Sequence, residues 1–196
     1  MFLVAGLGNP GEEYAATPHN MGYLVVDRLA ARQSIRMSRK ECQAVLGQGT
    51  IAGKLVILAK PQTYMNLSGI AVKSLMEKNE LAPSDLIAVY DELDLPWSAL
   101  RIKPKGSPAG HNGAKDLVAK LGTQEFTRIR LGVHPGHVLP SGKDYLLSRF
   151  TRQQNETLDA FIDLGADAAE SIIAEGVEMS MTRFNGRAQG SPPEEK

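Results

Sequence analysis

The chain opens on a continuous apolar run, Phe2 to Leu7, that stops at Gly8. A run this short, bounded by glycine, reads as a buried strand rather than a helix, which needs more residues to present a face. The rest of the chain must therefore supply neighbours and cover for an internal strand that begins almost at the first residue. Gly8-Asn9-Pro10-Gly11 then turns the chain sharply toward Tyr14 and Thr17-Pro18-His19-Asn20, gathering a histidine and two carboxamides beside a glycine-rich turn.

Gly6-Leu7-Gly8-Asn9-Pro10-Gly11 also satisfies G-x-G-x-x-G, the dinucleotide fingerprint, directly after a strand. Its required context fails. A helix starting inside the fingerprint would meet Thr17-Pro18 within a turn or two, and proline disfavours helical geometry in the residue before it. The segment after the first true helix reads as a hairpin, not as the parallel strand that carries an acidic ribose ligand. No nucleotide cofactor is expected.

The amphipathic segment from Asn20 to Gln33 places Val25, Val26, Leu29 and Ala30 on one face and predicts a helix. Ser34 to Glu41 is polar and breaks it. Residues 43–51 and 54–60, separated by Ala52-Gly53, predict an antiparallel hairpin. Leu67, Ile70, Ala71 and Leu75 predict a helix from near Asn66, with Asn66 or Ser68 as its cap. Leu86 to Tyr90 predicts a strand with Asp91-Glu92-Leu93-Asp94-Leu95-Pro96 at its C-terminal end, where α/β sheets bind ligands. Further strands are expected at 99–103 and 126–133, and helices at 114–121, from Thr151 to about Glu175 behind a capping box, and at 177–184. The segment from His134 to Tyr145 reads as loop. The expected fold class is α/β, a single globular domain, with residues 186–196 as a disordered tail rich in Gly, Pro and charge.

The 196 residues, 42% of them hydrophobic, suffice for one sizeable core. The 22 basic and 22 acidic side chains cancel, so a nucleic-acid partner has to be met by a local basic patch rather than by the net field. Arg101, Lys103 and Lys105 on or after one strand, and Arg128 and Arg130 alternating on another, are the candidates. A single cysteine, Cys42, allows no intramolecular disulfide and no zinc spacing, and no secretory or membrane-length apolar run is present, so a cytoplasmic protein is expected.

Neutral imidazole accepts a proton at neutral pH, and a carboxylate on its other nitrogen fixes the tautomer and stabilises the cation formed. His19 is the candidate base and Asp91 its partner. Gly110-His111-Asn112-Gly113 again sets a histidine and a carboxamide just before a helix. Taken singly, the residues of the opening loop are better explained as a turn in which Asn9 and Asn20 hydrogen-bond their own backbone and His19 is an ordinary loop histidine, and the second cluster is equally open to a reading as a helix cap. Asn9, Asn66 and Asn112 share a strand-to-helix position, and one rim of a sheet can bring them together.

Gly6 to Gly11 with Tyr14 and His19-Asn20, then Pro61-Gln62-Thr63-Tyr64-Met65-Asn66-Leu67-Ser68-Gly69, Asp91 to Pro96, and Gly110 to Gly113 together resemble the bacterial peptidyl-tRNA hydrolase family in order and spacing, from residue 1 to about 185. The resemblance implies an enzyme that cleaves the ester between a peptide and the terminal ribose of tRNA, recycling tRNA in translation. It implies His19 as catalytic base, Asp91 as its support, and Asn9, Asn66 and Asn112 as residues that orient substrate and histidine. Tyr14, Met65 and His111 are implied to line the cleft, and Lys103 and Arg130 to contact tRNA phosphate. A monomer without metal or cofactor is implied as well, as is a fold of one mixed (parallel and antiparallel), twisted sheet flanked by helices on both faces, with residues 1–185 as a single catalytic domain. The chain departs from the family pattern at Pro18, where a basic residue is common, in the loop 106–110, and at the turn 132–135. Some relatives act as RNA-binding splicing factors, so an inactive RNA-binding protein is the alternative, against which the joint presence of His19, Asp91 and the three asparagines argues.

Overall fold

The computed structural model describes residues 1–185; the tail expected from residue 186 onward lies outside the described residues. The opening run forms β1 (Phe2–Gly6), which lies in the middle of a seven-stranded sheet. The other strands are β2 (Arg39–Glu41), β3 (Ala44–Ile51), β4 (Lys54–Pro61), β5 (Leu86–Pro96), β6 (Leu100–Lys103) and β7 (Thr127–His134). Their order is β2-β3-β4-β1-β5-β7-β6. The central strands β4, β1, β5 and β7 are parallel, and β3 and β6 add antiparallel strands at the two sides. Parallel strands covered on both faces read as unbroken apolar runs, which explains why 2–7 and 86–90 show no alternation.

Helices cover both faces, as expected. On one lie α2 (Met21–Arg32), α6 (Arg152–Glu175) and α7 (Val177–Asn185), packed around Val4, Val89, Ile129 and Leu131. On the other lie α3 (Ser68–Lys78) and α4 (Asn112–Leu121), packed around Leu3, Leu7, Ala88 and Tyr90. The β3–β4 turn is Ala52-Gly53, both at positive φ, the conformation that a two-residue hairpin matched to strand twist requires. Thr151 and Gln154 close the capping box of α6.

Several expectations needed correction. Seven strands form instead of six, because Arg39–Glu41, which reads as a polar break, pairs with β3 at the sheet edge, where solvent replaces the apolar signal. The strand at Leu86 runs on to Pro96 through an irregularity after Glu92, so the acidic motif lies within the strand. Two short helices, α1 (Glu12–Ala15) and α5 (Gly142–Leu146), occupy segments read as loop, too brief to show a periodicity. Neither Asn66 nor Ser68 caps α3: a tight turn at Met65–Leu67 leads in, and the Ser68 hydroxyl donates back to the Met65 carbonyl at 2.8 Å.

Helix α2 seats directly on the strands. A Cβ on Gly6 would lie 2.2 Å from the Gly22 carbonyl oxygen, and one on Gly22 would lie 2.3 Å from the Val89 oxygen and 2.4 Å from the Leu7 nitrogen. In an open helix, Gly→Ala gains about 1 kcal/mol of propensity. Here the added methyl meets backbone. Gly22→Ala is expected to lose about 1–3 kcal/mol of stability in urea denaturation, the ordinary cost of overpacking; a gain would mean that α2 does not sit on the sheet in this way.

Candidate active site

The C-terminal ends of β1, β4 and β5 open into one cleft of about 840 Å³. Asn9 leaves β1, Met65 and Asn66 follow β4, and Asp91 lies within β5. Antiparallel β6 ends at Lys103 beside Arg128, at the far end of the sheet. Residues 104–111 must therefore run back along the sheet to bring His111 and Asn112 to the same cleft.

Asp91 is the centre of this site. Its side chain is 1% exposed, with Oδ2 2.8 Å from His19 Nδ1 and Oδ1 2.9 Å from His111 Nε2. His111 Nδ1 accepts the Ala114 N–H at 3.1 Å, so the proton of this ring sits on Nε2 and is donated to Asp91. The ionised carboxylate can only accept, so His19 carries its proton on Nδ1. That assignment leaves His19 Nε2 as a bare lone pair, without a partner among the described residues, on a ring that lines the cleft. The Tyr90 ring packs against His111 with centroids 4.6 Å apart, and His19 and His111 stand 5.1 Å apart.

Burial acts on the His19 imidazole most strongly and lowers its pKa; the charge of Asp91 and its hydrogen bond more than offset this and leave it raised above 6.5. Burial alone would raise the Asp91 carboxyl, but the two imidazoles, His111 first, hold it well below the usual carboxylate range. Asp91 thus stays ionised wherever His19 titrates.

The carboxamides are held to different degrees. Asn9 is buried: its Oδ1 accepts the Met65 N–H at 2.7 Å, and its own backbone N–H and carbonyl each bond the Asn20 side chain at 2.9 Å. Asn9 and Asn20 do not bond their own turns, as the simplest reading of the loop had it; Asn20 clamps Asn9. Asn66 and Asn112 are exposed and line the cleft. The first turn of α3, just after Asn66, is joined to α4, which begins with Asn112, by Asp116, whose Oδ2 accepts the Gly69 N–H at 2.8 Å. The crossing at Gly69 requires glycine, since a Cβ there would lie 2.4 Å from the Asp116 main-chain oxygen, and a Cβ on Gly113 would lie 2.6 Å from Met65 Sδ and force that side chain to shift.

Tyr14, Met65 and His111 line the cleft as expected, His111 being in addition the second partner of Asp91. The basic residues are less uniform. Lys103 is exposed on β6, outside the cleft lining. Arg130 is tied by Nε at 2.9 Å and Nη2 at 2.5 Å to Oε2 of the buried Glu92, and it too lies outside the lining. Arg128 does not belong to a surface patch: it is 1% exposed, stacked 4.1 Å from the Phe126 ring centroid, with Nη1 on the Gln124 and Phe126 carbonyls. Sequence reasoning missed Asn20 and Asp116 as supports. It also missed the apolar wall of Tyr64, Leu67, Leu93, Leu146 and Leu147. Tyr64, Leu67 and Leu93 stood inside named motifs and were the accessible signal; Leu146 and Leu147 were not, because they fall between the expected loop ending at Tyr145 and the helix expected from Thr151.

His19, Asp91 and His111 bring potential metal-ligating atoms within 4.8 Å of one another. The hydrogen bonds already account for this grouping, since Asp91 receives one N–H on each oxygen and His111 Nδ1 is taken by Ala114. A cation there would have to displace those protons.

A proton-accepting imidazole backed by a buried carboxylate, with carboxamides around a cleft, defines a general-base active site on an α/β sheet. A family model described as Peptidyl-tRNA hydrolase matches residues 3–192, and the chain belongs to that family. A peptidyl-tRNA hydrolase of Solibacter usitatus is 56% identical over 195 residues, covering 100% of both chains. One of Koribacter versatilis is 45% identical, covering 99% of this chain and 96% of its own. The crystal structure of the Acinetobacter baumannii peptidyl-tRNA hydrolase superposes with a TM-score of 0.88 at 31% identity, over 95% of each chain.

Asp91→Asn removes the charge and leaves burial to act alone on His19. An NMR titration of the His19 ring is then expected to show its pKa moving from above 6.5 to below it.

Proposed function

We propose that residues 1–185 act as a single catalytic domain that hydrolyses the ester joining a peptide to the terminal ribose of tRNA, with His19 as general base. The observation that carries this reading is the 2.8 Å contact between His19 Nδ1 and Asp91, which leaves Nε2 bare toward the cleft.

In this mechanism His19 Nε2 takes a proton from water as the water oxygen attacks the ester carbonyl. Asp91 holds the imidazolium that forms. The carbonyl electrons move onto oxygen, and a carboxamide N–H meets that oxyanion; Asn9, whose Nδ2 has no partner among the described residues, and Asn112 are the two candidates. Collapse breaks the bond to the ribose oxygen, which recovers the proton from His19. An ester has an adequate leaving group, so one base and a few donors suffice.

Asn66 and Asn112 hold the peptide main chain, and Tyr14, Met65 and His111 shape the cleft around it. A buried group that pairs with the amide of the last residue would reject a free aminoacyl group, because it would be left unpaired. Lys103 and Arg130, with Arg101 in register beside Arg130, take phosphates of the tRNA body; the register of β6 and β7 supports this, since it sets them on one face. The same reading takes the enzyme to be cytoplasmic and monomeric. No helix among the described residues is long and apolar enough to cross a membrane.

The purified protein is expected to release peptide from an N-blocked aminoacyl-tRNA and to spare the unblocked form. His19→Ala should lower kcat by about 10²–10⁴-fold, the usual worth of a positioned base. In the wild type, kcat/KM should rise with pH and level off through an inflection above 6.5, because the base works only unprotonated. Binding of tRNA without cleavage by the wild type would favour the RNA-binding alternative instead.

A further inference from the structure

The cleft carries an unbalanced set of charges. Asp91, Glu92 and Asp94 line it, and against them stands one lysine or arginine among the described lining residues, Lys143. Glu92 is occupied by Arg130, and Asp91 by its two histidines. Lys143 is exposed and has no hydrogen bond or ion pair with any described residue.

Its position is fixed by the short helix that bears it. The Ser141 hydroxyl caps α5 by accepting the Asp144 N–H at 3.2 Å. Gly142 lies so close to β5 that a Cβ there would be 2.8 Å from the Leu93 side chain. The Tyr145 hydroxyl donates to the Val133 carbonyl at 2.5 Å and accepts from Gln154 at 2.7 Å, which ties α5 to the end of β7 and the start of α6. Leu93, Tyr145 and Leu146 all pack with the core on the α2 face of the sheet. Arg130 shares its face with Tyr90, which belongs to the core on the α3 face. The strip of Arg101, Lys103 and Arg130 and the ammonium of Lys143 are therefore carried by opposite faces of the sheet.

We propose that Lys143 binds the 5′-phosphate of the terminal nucleotide of the substrate. The proposal rests on the hydrolase reading above. In a substrate whose ester is on the terminal ribose, that phosphate is the nearest one to the reacting carbonyl, so it has to enter a cleft whose lining presents the exposed Asp94 beside the buried, paired Asp91 and Glu92. An ammonium free of partners among the described residues, carried at that wall by an anchored helix, offsets the repulsion and supplies charge-assisted hydrogen bonds to the phosphate oxygens. Lys143 acts on binding, not on the proton transfer.

Two small substrates isolate this contact: the N-acetylphenylalanyl 3′-ester of adenosine, and the same ester of adenosine 5′-monophosphate. They differ only in the phosphate. For the wild type at low salt, kcat/KM is expected to be about tenfold higher for the phosphorylated ester, the scale of one hydrogen bond to a charged group, and the advantage should shrink as salt is added. In Lys143→Gln the ratio of the two values should fall to about one, and Lys143→Arg should restore much of it. A ratio that persists in Lys143→Gln overturns the proposal, whether the variant is fully active or both esters slow in proportion. Should the wild type cleave neither ester nor N-blocked aminoacyl-tRNA, the hydrolase reading itself falls.

Discussion

A carboxylate removed from water to the extent of Asp91 stays ionised only when both oxygens find donors, because an isolated buried charge costs several kcal/mol. Here two imidazole N–H groups supply them, one on each oxygen. The arrangement fixes more than one charge. The first turn of α4 sets the proton on His111, His111 and His19 hold Asp91 ionised, and Asp91 sets the proton on His19. Each proton position follows from its neighbour, and the last of them leaves one nitrogen free to act.

The sheet serves this chain of donors by distance. Asp91 sits in β5, His19 just ahead of α2, and His111 just ahead of α4, so the two histidines arrive from helices on opposite faces. Helix α2 must come close to the strands for His19 to reach Asp91, and the facing glycines 6 and 22 permit that approach. What first reads as a phosphate-binding fingerprint is, at Gly6, a clearance for a helix.

Much of this was legible in the sequence because it rested on local rules. Apolar runs gave the central strands, Ala52-Gly53 the hairpin, and Thr151 with Gln154 the start of the longest helix. The pairing of His19 with Asp91, 72 residues apart, came from chemistry and resemblance rather than from periodicity. The second partner, His111, was placed in the cleft but not on Asp91, because the return of residues 104–111 along the sheet depends on β6 being antiparallel. Arg128 and Arg130 look equivalent as alternating residues, yet one is buried under Phe126 and the other is held by Glu92. Alternation assigns a face, and only packing says whether that face meets water.

The bond from Asp116 to the Gly69 amide has a mechanical meaning. It fastens the first turn of α3, directly after Asn66, to the helix that begins with Asn112, and the glycine there leaves no slack at the crossing. The two carboxamides are thus mounted on one jaw rather than on two independent fingers. In the proposed mechanism such a jaw would grip the peptide backbone as a unit, so that the affinity of one carboxamide for its ligand would not be separable from the seating of the other. The joint also dictates its own residue: a side chain at position 69 would meet the main-chain carbonyl of Asp116, which no substitution at 116 removes.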